Sequence, residues 1–233
     1  TSSNTSGSIT STVSVNTTAG FSVVTWTSNG VTGATIGHGL GVAPKMMILK
    51  ARNSSALNWV VYHASVGNTG CLFLNTTDST YTSANAWNNT TPSSTVFTTG
   101  ASSFGWTNGT TWVAYCFAEI AGFSKFGSYT GNGSTDGPFV YLGFRPKFIM
   151  IKRSDSTNAW VMYDSIRDTY NDVDKEICPS TNAAEDATSS NNLMDFISNG
   201  FKCRNTYGTS NASGGTYIYM AFAENPFKYA NAR

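Results

Sequence analysis

Several stretches of this chain occur twice, and that repetition limits its possible folds more than any other feature. Residues 114–119 (AYCFAE) return as 220–224 (MAFAE), and Gly20-Phe21-Ser22 returns as Gly122-Phe123-Ser124. Between these marks, 40–45 (LGVAPK) is matched 102 positions later by 142–147 (LGFRPK). Each Pro-Lys launches an apolar run, 46–50 in one case and 148–152 in the other. After a polar turn come Trp59-Val60-Val61-Tyr62 and Trp160-Val161-Met162-Tyr163. A period of about 100 residues is the size of a domain, well above the ~20–50 residues of solenoids and propeller blades. The pattern reads as a tandem duplication of a small β domain, with units at 20–121 and 122–233 after a polar linker at 1–19. The seam is the stretch 114–133.

The units read as β-sandwiches. Thr, aromatics and turn residues are abundant, Asn29-Gly30 and Asn132-Gly133 suit tight turns, and helical periodicity is missing. The closing stretches 111–119 and 216–224 alternate aromatic and small residues, as strands facing another sheet do. The expectation is therefore all-β: two tandem antiparallel, jelly-roll-like sandwiches. A single helical turn is expected at 183–190, and the aromatic 225–229 segment is expected to pack down. The opening Ser/Thr/Asn run reads as a linker from within a longer chain. The drift in repeat offset gathers mid-unit, where Cys71 is matched to Cys178 and Phe97 to Phe196. Six extra residues then fall around 166–176 in the second copy, on a surface loop.

Charge narrows the function. Fourteen basic and 13 acidic residues leave +1, which argues against nucleic-acid binding as the main activity. Only Lys45, Lys50, Arg52, Asp78 and Glu119 carry charge within residues 1–121. No apolar run approaches the ~20 residues of a membrane span. The four cysteines lack metal-binding spacing and read as free thiols, Cys116 as a small buried apolar residue, in a protein assembled in a reducing cytoplasm.

Catalysis is tested by asking what both copies keep. His38 aligns with Val140 and His63 with Asp164, so the framework requires neither base. Structural turns are the stronger reading, and no enzyme is expected. Glu119 and Glu224 occupy equivalent strand ends and read as structural. Glycoside hydrolysis needs two carboxyls about 5–10 Å apart, and the first copy cannot easily supply them. In the acidic run 164–176, a solvated loop is the plain reading; a Ca²⁺ site using Asp168, Asp172 and Asp174 is the alternative. No other cofactor is expected.

Among the six tryptophans, Trp59 and Trp160 recur, Trp26 returns as Tyr129, and Trp112 faces Tyr217; these read as core. Trp87 and Trp106 sit in polar turns beside Asn88 and Asn108. An exposed indole beside an amide offers a sugar ring an apolar face and its hydroxyls a partner. The competing reading packs each tryptophan on its own sandwich.

The motifs GFSVVTWTSNG, GATIGHGLGVAPKMMILKARN, WNNTTPSS, AYCFAEIAGFSKFGSYTGNG and GGTYIYMAFAENPFKYANAR resemble the C-terminal repeat domains of tailed-bacteriophage virion proteins, a tail-fibre-like structural family. The resemblance spans residues 20–233. It implies an extracellular, virion-borne module that adheres to host cell-surface carbohydrate or assembles with other virion proteins. It further implies a homo-oligomer, trimers being common among fibres; charge and the lack of a long apolar run separately argue against a nucleic-acid or membrane partner. It assigns no catalytic residue.

Overall fold

A computed structural model describes residues 1–186 and 193–225. The chain is nearly all β and divides into two compact units: Thr1–Leu74 with Thr80–Glu119, and Asn75–Ser79 with the chain from Ile120 onward.

The first unit contains β1 (Ser2–Asn4), β2 (Ser11–Asn16), β3 (Phe21–Thr27), β4 (Thr35–Gly37), β5 (Met46–Ala51), β6 (Val60–His63), β7 (Gly70–Phe73), β8 (Tyr81–Thr82), the short helix α1 (Ala84–Trp87), β9 (Val96–Thr98) and β10 (Thr111–Phe117). Eight strands form one antiparallel sheet in the order β1-β2-β3-β10-β5-β6-β7-β8, and β4 pairs with β9. Burial alternates along β3 and β10, which directs Val24, Trp26, Trp112 and Ala114 inward. They meet Ile36 and Phe97 of the small sheet in one core. Trp26 and Trp112 are cross-strand partners stacked at 6.3 Å, and Trp26 meets Phe97 edge-on at 5.4 Å.

The opening segment is not a linker. β1 and β2 add to the large sheet, Val13 opposite Val24, and Val13 is buried in the core. Its inward residues Ile9, Ser11 and Val13 alternate in a background of Ser and Thr, so composition hid a strand that the period of two reveals.

The second unit contains β11 (Ser124–Thr130), β12 (Phe139–Tyr141), β13 (Pro146–Arg153), β14 (Trp160–Asp164), β15 (Met194–Ile197), β16 (Gly200–Cys203) and β17 (Thr216–Ala223). Their orders are β11-β17-β13-β14 and β12-β16-β15, antiparallel throughout. Tyr129 and Tyr217 stack at 5.0 Å between these sheets, and Phe201 meets Tyr129 edge-on at 5.8 Å. Each buried phenol has an acceptor: Tyr129 donates to the Ser210 carbonyl and Tyr217 to that of Gly208.

The registers of the two units correspond. Trp26 opposite Trp112 in one is Tyr129 opposite Tyr217 in the other. Met46 opposite His63 is matched by Phe148 opposite Asp164. Three expected matches move. Ile36–Phe97 corresponds to Val140–Phe201, so Phe97 matches Phe201 rather than Phe196. Val61–Leu72 corresponds to Met162–Ile177, which places Glu176, not Cys178, opposite Cys71's role. The His38 amide bonds Thr95 as the Leu142 amide bonds Asn199, so Leu142, not Val140, stands where His38 does. Between these paired positions the second unit is longer by four residues and not six: Leu72 follows Val61 by 11 positions and Ile177 follows Met162 by 15.

Trp160 is buried in β14 and Trp59 is half-buried just before β6. No helix forms at 183–186, where Asp186 bridges Glu176 in extended pairing. The rest of that expected turn (187–192) and the end segment from 226 lie outside the described residues.

Candidate functional site

The residues expected to bind sugar do not form a site. Trp87 and Trp106 are each only 1% exposed. Trp106 packs 4.3 Å from Trp112 and 6.4 Å from Trp26 and from Trp87, and the Trp87 indole N–H donates to the Gly70 carbonyl at 3.0 Å. Both rings belong to the core, because the turns carrying them fold inward over the sheet. Asn88 and Asn108 stay at the surface on separate turns, beside Gly33 and Gly30 respectively, with no exposed ring to complement.

A different set of aromatics does line a solvent-open cleft on the first unit. Its volume is about 160 Å³, and Leu57, Asn58, Phe73, Ser103 and Phe104 form its walls with Ala56 and Val60. Three elements build it. Phe73 ends β7 opposite Val60 of β6. Tyr81 is brought alongside by the pairing of β8 with β7. Phe104 closes a 3₁₀ turn (Ser102–Phe104) that ends on Gly105 in the left-handed region, φ 90°. Glycine suits that φ, which strains any L side chain, and a Cβ there would also lie 2.6 Å from Leu57 Cδ1 and make Leu57 shift. The Lys50 ammonium bonds the Leu57 carbonyl and pins the same segment.

The rings of Phe73, Tyr81 and Phe104 stand 5.9–6.1 Å apart. Phe73 and Phe104 are half-buried and Tyr81 is 51% exposed. The cleft thus combines apolar ring faces with an amide from Asn58 and a hydroxyl from Ser103, which suits a ligand with one apolar face and hydroxyls around its edge. Sequence reading missed it because its residues come from four separated stretches, none of which carries a motif.

Both histidines bond to nearby backbone. His38 is buried; its Nε2 donates to the Ser93 carbonyl at 3.2 Å and its Nδ1 accepts from the Leu40 amide at 3.2 Å. Burial lowers its pKa, against the raising effect of the Ser93 bond. His63 Nδ1 accepts the Ser65 amide and shapes the turn after β6. Glu224 pairs with Arg145 at 3.0 Å, the structural role expected of it.

Nor do the three aspartates converge on a cation. Asp168 Oδ2 accepts the amides of Asp174 (2.9 Å) and Lys175 (2.7 Å), while the Lys175 ammonium lies 3.2 Å from Oδ1. Burial works to raise the Asp168 pKa, but these donors hold it below the ordinary value. Asp172 instead shares a hydrogen bond with the Asp195 carboxyl, which raises its pKa. Asp195 is in turn paired with Arg204 at 2.6 Å. Among the described residues no group of three or more His, Cys, Asp or Glu side chains is arranged to hold a metal.

The titratable group of most physical consequence is Glu176. It is buried; Tyr163 donates to its Oε2 at 2.5 Å and the Cys178 thiol to Oε1 at 3.3 Å. Burial raises its pKa above the usual 4.5, against the lowering effect of those two donors. Folding therefore keeps a proton that the unfolded chain releases, and stability is lost as pH rises from the unfolded value through the higher folded one. The melting temperature of the second unit is expected to fall over that interval in the wild type. In Glu176→Gln, which keeps the Tyr163 bond, that fall is expected to be smaller. Thermal melts at closely spaced pH values check this; equal slopes would contradict it.

Fold and cleft together define an all-β, sandwich-type protein with a small aromatic site on its first unit. The chain belongs to the family described as Domain of unknown function (DUF7483), whose model matches residues 1–226. No curated protein and no solved structure matches it.

Proposed function

We propose that this chain is a structural and adhesive module of a tailed-phage particle, the distal receptor-binding part of a tail fibre, that recognises host cell-surface glycans. The observation that carries the reading is the cleft walled by Phe73, Phe104, Asn58 and Ser103, with the half-exposed Tyr81 ring against both phenylalanines at its border. Stacked ring faces take the apolar face of a pyranose, and the polar groups meet its hydroxyls. A site this small binds weakly, and many copies on one particle supply avidity. The sequence resemblance to virion proteins gives the same setting. The internal bonds of both histidines favour binding over catalysis. We also infer that the two units arose by duplication, which the coincident registers support. Four free thiols suit assembly in a reducing host cytoplasm.

Glycan-array or whole-cell binding tests the site. Tyr81→Ala and Phe104→Ala are each expected to weaken binding about tenfold or more, with the Tyr81 variant melting like the wild type because its ring is half in solvent. Undiminished binding by the double variant would remove the cleft from consideration. The second reading, a purely architectural subunit without ligand, is favoured by a different feature, the exposed rings of Phe139 and Tyr141 on β12 of the second unit.

A further inference from the structure

The cleft beside β7 is as selective in what its walls lack as in what they offer. Leu57, Val60, Phe73 and Phe104 with Ala56 make it apolar, against two polar side chains, Asn58 and Ser103. None of the five charged residues within 1–121 is among the walls. Lys50 does reach the same segment, but its ammonium is bonded to the Leu57 carbonyl. A carboxylate or sulfate entering such walls would shed water and gain no cation, which is a large cost with nothing to offset it. The ligand that fits is uncharged.

Size and polarity narrow it further. The volume of about 160 Å³ lies below the ~300–1,000 Å³ of pockets that enclose a drug-sized ligand. One sugar unit enters, and the rest of a glycan stays in solvent. A simple hexose carries hydroxyls around its whole rim, and at most two side chains of the walls can meet them. Ser103 Oγ accepts from the Asn85 amide at 3.5 Å and keeps its own proton to donate. Every further hydroxyl pressed against Leu57, Val60 or Phe104 would give up a bond to water without replacement. A methyl group at that position instead buries apolar area at a gain.

We propose that the cleft selects a neutral, methyl-bearing sugar unit, one in which a hydroxyl is missing or is replaced by an acetamido group. The rings of Phe73 and Phe104 take the apolar face, the aliphatic wall takes the methyl, and exposed Ser103 meets a hydroxyl. Deoxyhexoses and N-acetylhexosamines share this chemistry. The inference rests on the glycan reading of the cleft and adds the class of sugar to it.

Saturation-transfer NMR and calorimetry of the full chain with matched methyl glycosides test it. The pairs are L-fucose against L-galactose, L-rhamnose against L-mannose, N-acetylglucosamine against glucose, and glucose against glucuronic acid. In at least one of the first three pairs the methyl-bearing member is expected to bind about tenfold or more tighter than its parent, the scale on which an apolar pocket weighs such a group. Which pair shows it separates the deoxy from the acetamido source. Glucuronic acid is expected not to bind, and affinity for the bound sugar is expected to stay flat between about 0.01 and 1 M salt. Ser103→Lys, which sets a cation at an exposed wall position, is expected to bring glucuronic acid binding in. Parent sugars or glucuronic acid bound as tightly as the methyl-bearing members, and lost in Phe104→Ala, would overturn the inference and leave the glycan reading standing. So would a Ser103→Lys chain that still rejects glucuronic acid, since shape and not missing charge would then be the filter. If no glycoside binds, and nothing on a glycan array does, the glycan reading falls and the inference with it.

Discussion

Trp106→Ala is expected to destabilise the first unit by about 3–5 kcal/mol, the usual cost of removing a fully buried indole. The ring sits between Trp26, Trp87 and Trp112, and its loss leaves a void that three rigid neighbours cannot fill by small shifts. Trp106→Phe keeps a ring there and is expected to cost far less. Differential scanning calorimetry of the intact chain checks both, since two units should give two transitions. A transition of the first unit that moves little in the alanine variant would contradict the packing described. The result also bears on function: lost glycan binding in Trp106→Ala would report unfolding, whereas the same loss in Tyr81→Ala would report the cleft.

The second large effect belongs to a polar residue. Asn211 is fully buried, and its amide nitrogen donates to the carbonyls of Ser134 (2.8 Å) and Asn205 (2.6 Å). Its side-chain oxygen accepts the Asn132 amide at 2.9 Å. One side chain thus ties two other loop segments of the second unit, 132–134 and the one at Asn205, to its own. Asn211→Ala would strand those groups in the interior at about 1–3 kcal/mol each, so a loss of about 3 kcal/mol or more is expected. Asn211→Asp, which sets a buried carboxylate oxygen against the two carbonyls, is expected to cost at least as much. If both variants unfold with the wild type, the loops are held by something else.

These two residues show what a sequence discloses and what it withholds. Strand pairing was legible because period-two alternation and Pro-Lys starts are local signals, and the repeated stretches supplied an internal alignment of the units. The same local logic failed at Trp106, whose Gly/Asn/Thr neighbours suggest an exposed turn: burial depends on where the turn folds, not on its composition. Asn211 lies in a Ser/Asn/Gly run that reads as surface loop, and nothing local reveals that two other segments converge on it. The acidic run 164–176 falls where the second unit is longer than the first between matched strand positions. The excess was overestimated because Cys71 and Cys178 looked alike while register pairs Cys71's position with Glu176. The aromatic cleft was invisible for the opposite reason. Phe73, Tyr81 and Phe104 are individually ordinary, and only β7–β8 pairing and the turn ending on Gly105 bring them together.

The unequal choice of stacked rings also has an optical outcome. Five of the six indoles, Trp26, Trp59, Trp87, Trp106 and Trp112, belong to the first unit, and Trp160 alone to the second. Intrinsic emission excited at the red edge of the absorption band should therefore track the loss of one half of the molecule almost exclusively. Circular dichroism from the backbone would register both halves, so a midpoint that differs between the two signals would measure how far the halves come apart independently.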